Sequence, residues 1–271
     1  YYEKKMINIK FPPKKSDKEI EKFFSEKKLG YIINLSKKKP LDVNQMSVDL
    51  PYKPELQDLY RLYQFVVLNK RTTILEFGTG WSSLIFTLAL SELKKKFSEK
   101  VKNLRRNNPF ELFILDNEKK FFNISKKRVR KFVTKKYFKE QIHFKFSNVE
   151  MTKFNGRIST EYNQLPLCNP DFIYLDGPDQ FNVKKKVNNI STNHKDMTPM
   201  SCDLLKIEYF LIPGTIIVVD GRGANSKFLK DNFKRNWIYK NDKINDQHIF
   251  YLDDPILGKY NKMQLDFYKT A

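Results

Sequence analysis

The chain has 271 residues, a length that suits one large domain or one domain with an extension. Its formal net charge of +20 comes mostly from lysines spread along the whole chain, which argues for solvated faces rather than one dedicated nucleic-acid surface. Cys168 and Cys202 are too few for a disulfide framework, and no stretch approaches the roughly 20 apolar residues of a membrane helix, so we expect a cytoplasmic protein with no membrane partner.

The first 54 residues carry several prolines among many charges and lack a long periodic pattern. We expect a basic N-terminal extension over residues 1–54, with a short helix near Asp17 to Lys28, followed by a domain over residues 55–271. Pro54 and Glu55 open a stretch with apolar residues at helical spacing. This pattern predicts a helix directly before the first core strand.

The stretch from Thr72 to Ser83 is the most informative of the chain. Its β-branched and apolar start predicts a buried strand that ends at Glu76. Gly78 and Gly80 follow one residue apart, and glycine is preferred where the backbone takes a positive φ or comes close to a ligand. The pattern therefore predicts a strand, a tight turn and a ligand-facing helix start.

The helix after this turn is expected from Ser82 to about Phe97. Ser82 or Ser83 is suited to cap it, and the free N–H groups of its first turn would then face the ligand.

A second apolar strand ends in Asp116. An acid at this place accepts hydrogen bonds from ribose hydroxyls in nucleoside-binding α/β folds, and Glu118 is a nearby substitute. A basic helix is predicted from Glu118 to about Phe138, followed by a third strand that ends near Asn148. His143 lies on the opposite face of that strand from its neighbouring phenylalanines, which favours a structural role.

Two further strands are also predicted to end in carboxylates, Asp176 and Asp220. Because the carboxyl ends of parallel strands meet at one edge of a sheet, these acids are expected in a common crevice. The polar segment at about 178–200 lacks clear periodicity, and we interpret it as a substrate-facing loop. His194 in this loop is a candidate base, because histidine titrates near neutral pH.

The last pattern before the C-terminal tail consists of two short aromatic strands joined by a polar turn, Lys243 to Asp246. They predict an antiparallel hairpin at the edge of the sheet.

An acid at the end of a strand followed by G-x-G, as in Glu76 to Gly80, resembles the first motif of class I S-adenosyl-L-methionine (SAM)-dependent methyltransferases. The spacing of Asp171, Asp176 and the glycine after it, D-x-x-x-x-D-G, resembles the fourth motif of small-molecule O-methyltransferases in that superfamily. Asp220 continues the strand-end acids in the order that the superfamily shows.

The resemblance implies a Rossmann-like α/β fold of the class I methyltransferase type. In this fold a central, mostly parallel seven-stranded sheet has helices on both faces and a C-terminal antiparallel hairpin. The implied cofactor is SAM, and the implied function is methyl transfer to a small-molecule or glycan-type acceptor, at a hydroxyl group.

The resemblance also implies the residues of the site. The cofactor would contact the glycine turn and the ends of the neighbouring strands, namely Glu76, Gly78, Thr79, Gly80, Trp81, Ser82, Asp116 and Asn148. The candidate catalytic residues are Asp176, His194 and Asp220.

Several alternatives stay open. The basic surface also suits an RNA methyltransferase or a methyltransferase-like binding module. A nicotinamide-dependent oxidoreductase is less favoured, because Ser83 stands where that fingerprint has its third glycine. Asp176 and Asp220, with Asn225 or Asp179, are candidate Mg²⁺ ligands. Related metal-dependent enzymes, however, have Asn where this chain has Gly221, so no metal ligand is assigned.

Overall fold

The computed structural model describes residues 9–38 and 52–269. Its helices are α1 (Asp17–Glu26), α2 (Gly30–Ser36), α3 (Leu56–Leu68), α4 (Ser82–Val101), α5 (Lys119–Phe132), α6 (Lys135–Gln141), α7 (Asp203–Ile207), α8 (Gly223–Asn232) and α9 (Lys259–Lys269). Its strands are β1 (Thr73–Phe77), β2 (Glu111–Asp116), β3 (Ile142–Phe146), β4 (Val149–Phe154), β5 (Arg157–Tyr162), β6 (Phe172–Leu175), β7 (Val183–Lys184), β8 (Ile216–Asp220), β9 (Trp237–Asp242) and β10 (Gln247–Leu252).

Seven strands form the main sheet in the order β3-β2-β1-β6-β8-β10-β9. Neighbouring strands from β3 to β8 pair in parallel, whereas β10 runs antiparallel to both β8 and β9. The predicted seven-stranded sheet with its C-terminal hairpin is therefore confirmed. A second sheet, β5-β4-β7, was not predicted.

The central strands are nearly continuous apolar runs because both faces of the main sheet are covered. Ile74 on β1 belongs to the core on one face, together with residues of α3 and α4. Leu75 and Phe77, the alternating residues of the same strand, belong to a second core that includes parts of β4, α7 and α8. The opposite orientation of successive strand residues thus divides one strand between two cores.

The predicted N-terminal helix is present as α1. Ser16 caps it by accepting a hydrogen bond from the backbone N–H of Glu19, whose carboxylate accepts from the Ser16 N–H in return. Ile20 and Phe24 of α1 are buried in the same core as α3 and α4. Residues 1–8 and 39–51 of the predicted extension lie outside the described residues.

The structure contains two helical features that were not predicted. The single basic helix is divided into α5 and α6, because Val133 has an extended backbone and Thr134 caps a new helix by accepting from the Tyr137 N–H. The tail, in which no motif was identified, contains α9, whose Tyr268 donates a hydrogen bond to the buried carboxylate of Asp171 at 2.8 Å.

The predicted substrate loop has several fixed contacts. Its β7 pairs with β4, and Val187 forms a bridge with Ile190. The Gln180 amide near its start donates to the carbonyl of His194 at 2.9 Å. In the described ranges, no helix combines the length and apolar character needed to cross a membrane.

Candidate active site

The glycine turn after β1 lies directly against the end of β6. Gly78 has a φ of +90°, and a Cβ at this position would lie 2.9 Å from backbone atoms of Asp176. A Cβ on Gly177 would lie 2.6 Å from the Gly78 nitrogen. Glycine is required at both positions because the two backbones are in contact.

Glu76 lies beneath this turn and is fully buried, with 0% of its surface exposed. Its carboxylate accepts hydrogen bonds from the hydroxyls of Ser82 at 2.5 Å and Ser83 at 2.7 Å. Burial raises the pKa of Glu76 to about 8. The prediction that Ser82 or Ser83 caps α4 is wrong, because both serine hydroxyls donate to Glu76 instead. Trp81 is the N-cap residue of α4, and its side chain makes no capping hydrogen bond.

Asp116 fixes the other side of the turn. One carboxylate oxygen accepts from the backbone N–H of Thr79 at 2.7 Å and from its hydroxyl at 2.6 Å, and the other accepts from the Glu118 N–H at 2.7 Å. Burial raises the pKa of Asp116 to about 6, and the hydrogen bonds from Thr79 and Glu118 act in the opposite direction.

A cavity of about 430 Å³ opens above these residues, at the carboxyl edge of the main sheet. Seven of the predicted site residues line it, namely Gly78, Thr79, Gly80, Trp81, Asp116, Asp176 and Asp220. The structure therefore brings the glycine turn and three strand-end acids around one space.

Four other predicted site residues do not line this cavity. Glu76 and Ser82 lie below the turn and contact each other. Asn148 has an exposed side chain beyond the end of β3. The side chain of His194 is 63% exposed, and its Nδ1 accepts from the N–H of Asp196 at 3.2 Å.

One wall of the cavity is a face of α5 that was not predicted to take part. Phe121, Ile124, Ser125 and Arg128 line it. Their spacing of three or four residues places them on one face of a helix, so the helical periodicity of the sequence could have predicted that they lie together. The lysines of this segment led to the prediction of a basic helix without a place in the site.

Arg128 and Ser125 bind the glycine turn from this wall. Both donate to the carbonyl of Gly80 at 3.0 Å, and the Arg128 guanidinium lies 3.6 Å from the centre of the Trp81 ring. Burial lowers the pKa of Arg128 to about 10. The Trp81 indole N–H donates to the carbonyl of Tyr52 at 3.1 Å, so the turn is held on both sides.

The acids at the opposite wall have polar neighbours of their own. Arg222 donates to the Asp176 carbonyl at 2.7 Å, and its Nε lies 3.6 Å from the Asp176 carboxylate. Desolvation raises the pKa of Asp176 to about 6, although 55% of its side-chain surface remains exposed to solvent. The Tyr174 hydroxyl donates to Asp220 at 2.8 Å, and burial raises the pKa of Asp220.

The residues present do not fit a Mg²⁺ site. The Asn225 side chain is buried and bonded to the backbone of Ser201, and an Asp179 carboxylate oxygen accepts from the N–H groups of Phe181 and Asn182. In the part of the chain that the structure describes, no three His, Cys, Asp or Glu side chains are arranged to hold a metal ion.

No protein family matches the chain, and no curated protein is significantly similar in sequence. Solved structures that match the chain include two methyltransferases. The SAH-bound methyltransferase PaMTH1 of Podospora anserina matches with 12% identity and a TM-score of 0.42, over 89% of this chain and 99% of its own. An O-methyltransferase of Bacillus cereus in complex with SAH matches with 12% identity and a TM-score of 0.38, over 89% of this chain and 92% of its own.

Sequence identity and TM-scores this low do not indicate the function of this chain. The strand order and the antiparallel β10 are sufficient to assign the fold. The chain has the class I methyltransferase fold. Its cavity lies where open α/β sheets bind ligands, beyond the carboxyl ends of the strands.

Proposed function

We propose that the protein is a SAM-dependent methyltransferase that acts on a hydroxyl group of a small-molecule or glycan-type acceptor. One observation carries the proposal: the Gly78 turn, Asp116 and Asp176 surround a single cavity at the carboxyl edge of the sheet. The volume of about 430 Å³ lies within the range of roughly 300–1,000 Å³ that is usual for small-molecule sites.

The lining fits the chemical parts of SAM. The methionine carboxylate would lie at the Gly78–Gly80 turn, where the first N–H groups of α4 and its dipole favour an anion. The ribose hydroxyls would donate to Asp116, whose Oδ1 accepts one hydrogen bond from within the protein. Phe121 and Ile124 would provide an apolar surface for the adenine.

SAM, when bound, supplies a methyl group attached to a positively charged sulfur. The residues of the cavity would hold the acceptor hydroxyl towards that methyl group, and positioning of this kind provides a large part of the rate. Asp176 is the best-placed base, because its carboxylate opens into the cavity and its raised pKa of about 6 makes it more basic than an ordinary aspartate. Asp220 lines the same wall and faces the acceptor with it.

Isothermal titration with SAM tests the cofactor assignment. We expect saturable binding to the wild-type protein and its loss in Ile124→Arg, because the larger charged side chain would enter the cavity. Asn123→Arg is the matched control, since Asn123 is the preceding residue of α5 and is exposed.

Well-folded wild-type protein that fails to bind SAM would contradict the proposal. If the same protein bound RNA with an affinity that falls steeply with salt, the result would support the binding-module alternative instead. Equal loss of SAM binding in both arginine variants would show that the added charge, rather than the cavity, is responsible.

A further inference from the structure

A second and larger cavity, of about 790 Å³, lies at the opposite edge of the main sheet. Its walls come from the segments that precede β2, β6 and β8 and from the start of α9. It shares no lining residue with the cavity at the carboxyl edge. The proposed methyl transfer at the carboxyl edge therefore does not involve this second cavity.

Two basic residues at this cavity have no acidic partner in the described part of the chain. Within the described residues, no carboxylate lies within 4.0 Å of the charged groups of Arg105 or Lys259. The neighbouring Arg106 differs, because it lies 3.6 Å from Asp171 and donates to the carbonyl of Asn169 at 2.8 Å. The cavity thus has positive charge that no ion pair among the described residues neutralises.

Arg105 contacts the start of α9 through its side chain. Its φ of +50° lies in the left-handed region, which non-glycine residues adopt at a cost. The guanidinium lies 4.7 Å from the centre of the Tyr260 ring of α9. Arg105 and Tyr260 both line the cavity, and the contact of the guanidinium with the ring positions the positive charge there.

The same cavity exposes large apolar side chains. Leu167 is 98% exposed, Phe210 is 77% exposed and Leu257 is 66% exposed, and all three line it. Covering such surface is favourable by about 25 cal/mol for each Å². An exposed apolar patch next to unpaired cations suits a ligand that has both an apolar chain and an anionic head.

The amide groups of the lining are already engaged within the protein. The Asn169 side chain donates to the Phe210 carbonyl at 3.0 Å, and Asn261 accepts from the Leu257 N–H at 3.2 Å. Gln264 donates to the Leu104 carbonyl at 3.2 Å. The contacts left for a ligand are therefore mainly positive charge and apolar surface.

We propose that this cavity binds a single-chain amphiphilic anion. The carboxylate or phosphate head lies at Arg105 and Lys259, and the apolar chain covers Leu167, Phe210 and Leu257. This site is independent of the proposed methyl transfer, since the two cavities lie at opposite edges of the sheet.

Calorimetric titration below the critical micelle concentration tests the proposal. Dodecanoate and dodecyl phosphate distinguish the two head groups, and dodecyltrimethylammonium carries the same chain with the opposite charge. We expect saturable binding of at least one of the anions at one site, and no binding of the cation. Binding of the cation with equal affinity would overturn the proposal.

Two pairs of variants locate the site. Arg105→Gln should weaken binding by about tenfold, as expected for loss of a charge-assisted contact of about 1.4 kcal/mol. Arg157→Gln removes the same charge from the exposed start of β5 and should leave the affinity unchanged. Leu167→Glu should also weaken binding, whereas Ile244→Glu, at an exposed position in the turn before β10, should not.

All four substitutions lie outside the two cores, and thermal unfolding verifies that each variant is folded. Equal effects of the two arginine substitutions, or of the two glutamate substitutions, would overturn the proposal by showing nonspecific attraction to the basic surface. Association with vesicles of anionic lipid, without binding of the monomeric amphiphile, would overturn it in favour of a membrane-docking surface.

Discussion

The buried Glu76 should make the free energy of unfolding depend on pH. Its pKa of about 8 in the folded protein is above its ordinary value of 4.5, so the folded state retains a proton that the unfolded state loses. The resulting stabilisation is present below pH 4.5 and is lost as the pH rises towards 8. We expect Glu76→Gln, which is always neutral, to reduce this fall in the free energy of unfolding between pH 5 and 8.5.

Urea unfolding at both pH values measures the effect, with Glu99→Gln as the control. Glu99 is an exposed residue of the same helix that Ser82 and Ser83 begin. The explanation is wrong if both variants retain the wild-type slope. The amide can still accept a serine hydroxyl, so the variant is expected to fold.

Asp176 allows a test of the catalytic assignment. A base with a pKa of about 6 is deprotonated above that pH, so the rate of methyl transfer should rise with pH through about 6 and then level off. Asp176→Asn should lower the maximal rate by roughly 10²–10⁴-fold, while SAM affinity changes little. Rates across pH 5 to 8 and SAM titration distinguish this loss from a loss of cofactor binding.

Asp231→Asn provides the comparison for Asp176→Asn, because Asp231 is an exposed acid on α8 that does not line the cavity. An unchanged pH profile in Asp176→Asn would transfer the role of the base to another acid, such as Asp220.

At the scale of residues, local patterns predicted the strand-end positions but not the orientation of every side chain. Gly78, Asp116 and Asp176 meet because parallel strands place their carboxyl ends together. Asn148 also follows a strand, but β3 is at the edge of the sheet and its end does not reach the cavity. The burial of Glu76 under Ser82 and Ser83 depends on packing that a linear pattern does not show.

At the scale of elements, α9 has a specific packing role that its sequence did not reveal. Tyr268 donates its hydroxyl to Asp171, which also accepts from the N–H groups of Thr72 and Thr73. Tyr268→Phe should lower the free energy of unfolding by about 1–3 kcal/mol, because it removes a hydrogen bond to a buried carboxylate. Tyr260→Phe, on the exposed start of the same helix, should cost less than about 0.5 kcal/mol.

Urea unfolding of both variants measures this difference. Equal stabilities of the two variants would show that the remaining donors satisfy Asp171 without Tyr268. The result would then assign the contribution of α9 to its apolar contacts, such as that of Phe267 with Phe97 at 5.5 Å between ring centres.

Strands with a clear pattern of apolar residues were predicted well. Elements that depend on the residues of a turn, or on contacts with distant parts of the chain, were not predicted. The apolar runs of β1, β2, β6 and β8 identified the central sheet. The hairpin of β4 and β5 was missed, although its turn contains Asn155-Gly156, both with positive φ, which is a strong hairpin signal. The α9 helix depends on contacts with residues about 97 to 197 positions earlier in the chain.

At the scale of the whole molecule, the uneven balance of charge opposes compaction. The chain has 51 lysines and arginines against 31 acidic residues, and the mutual repulsion of this excess positive charge is stronger in the folded state than in the expanded chain. Salt screens charges at the surface, with a Debye length of about 30 Å at 0.01 M and about 8 Å at 0.15 M. We therefore expect the melting temperature to rise by about 2–4 °C, equivalent to about 1 kcal/mol, between 20 and 300 mM NaCl.

Thermal unfolding across this range measures the effect, and the same series in NaBr separates screening from specific anion binding, because screening depends on ionic strength alone. A fall in melting temperature with salt would show that exposed pairs, such as Lys262 with Asp266, outweigh the repulsion. A rise confined to one anion would indicate that the anion occupies a site. Arg105→Gln would then abolish that rise if the anion binds in the second cavity, of about 790 Å³, that Arg105 lines.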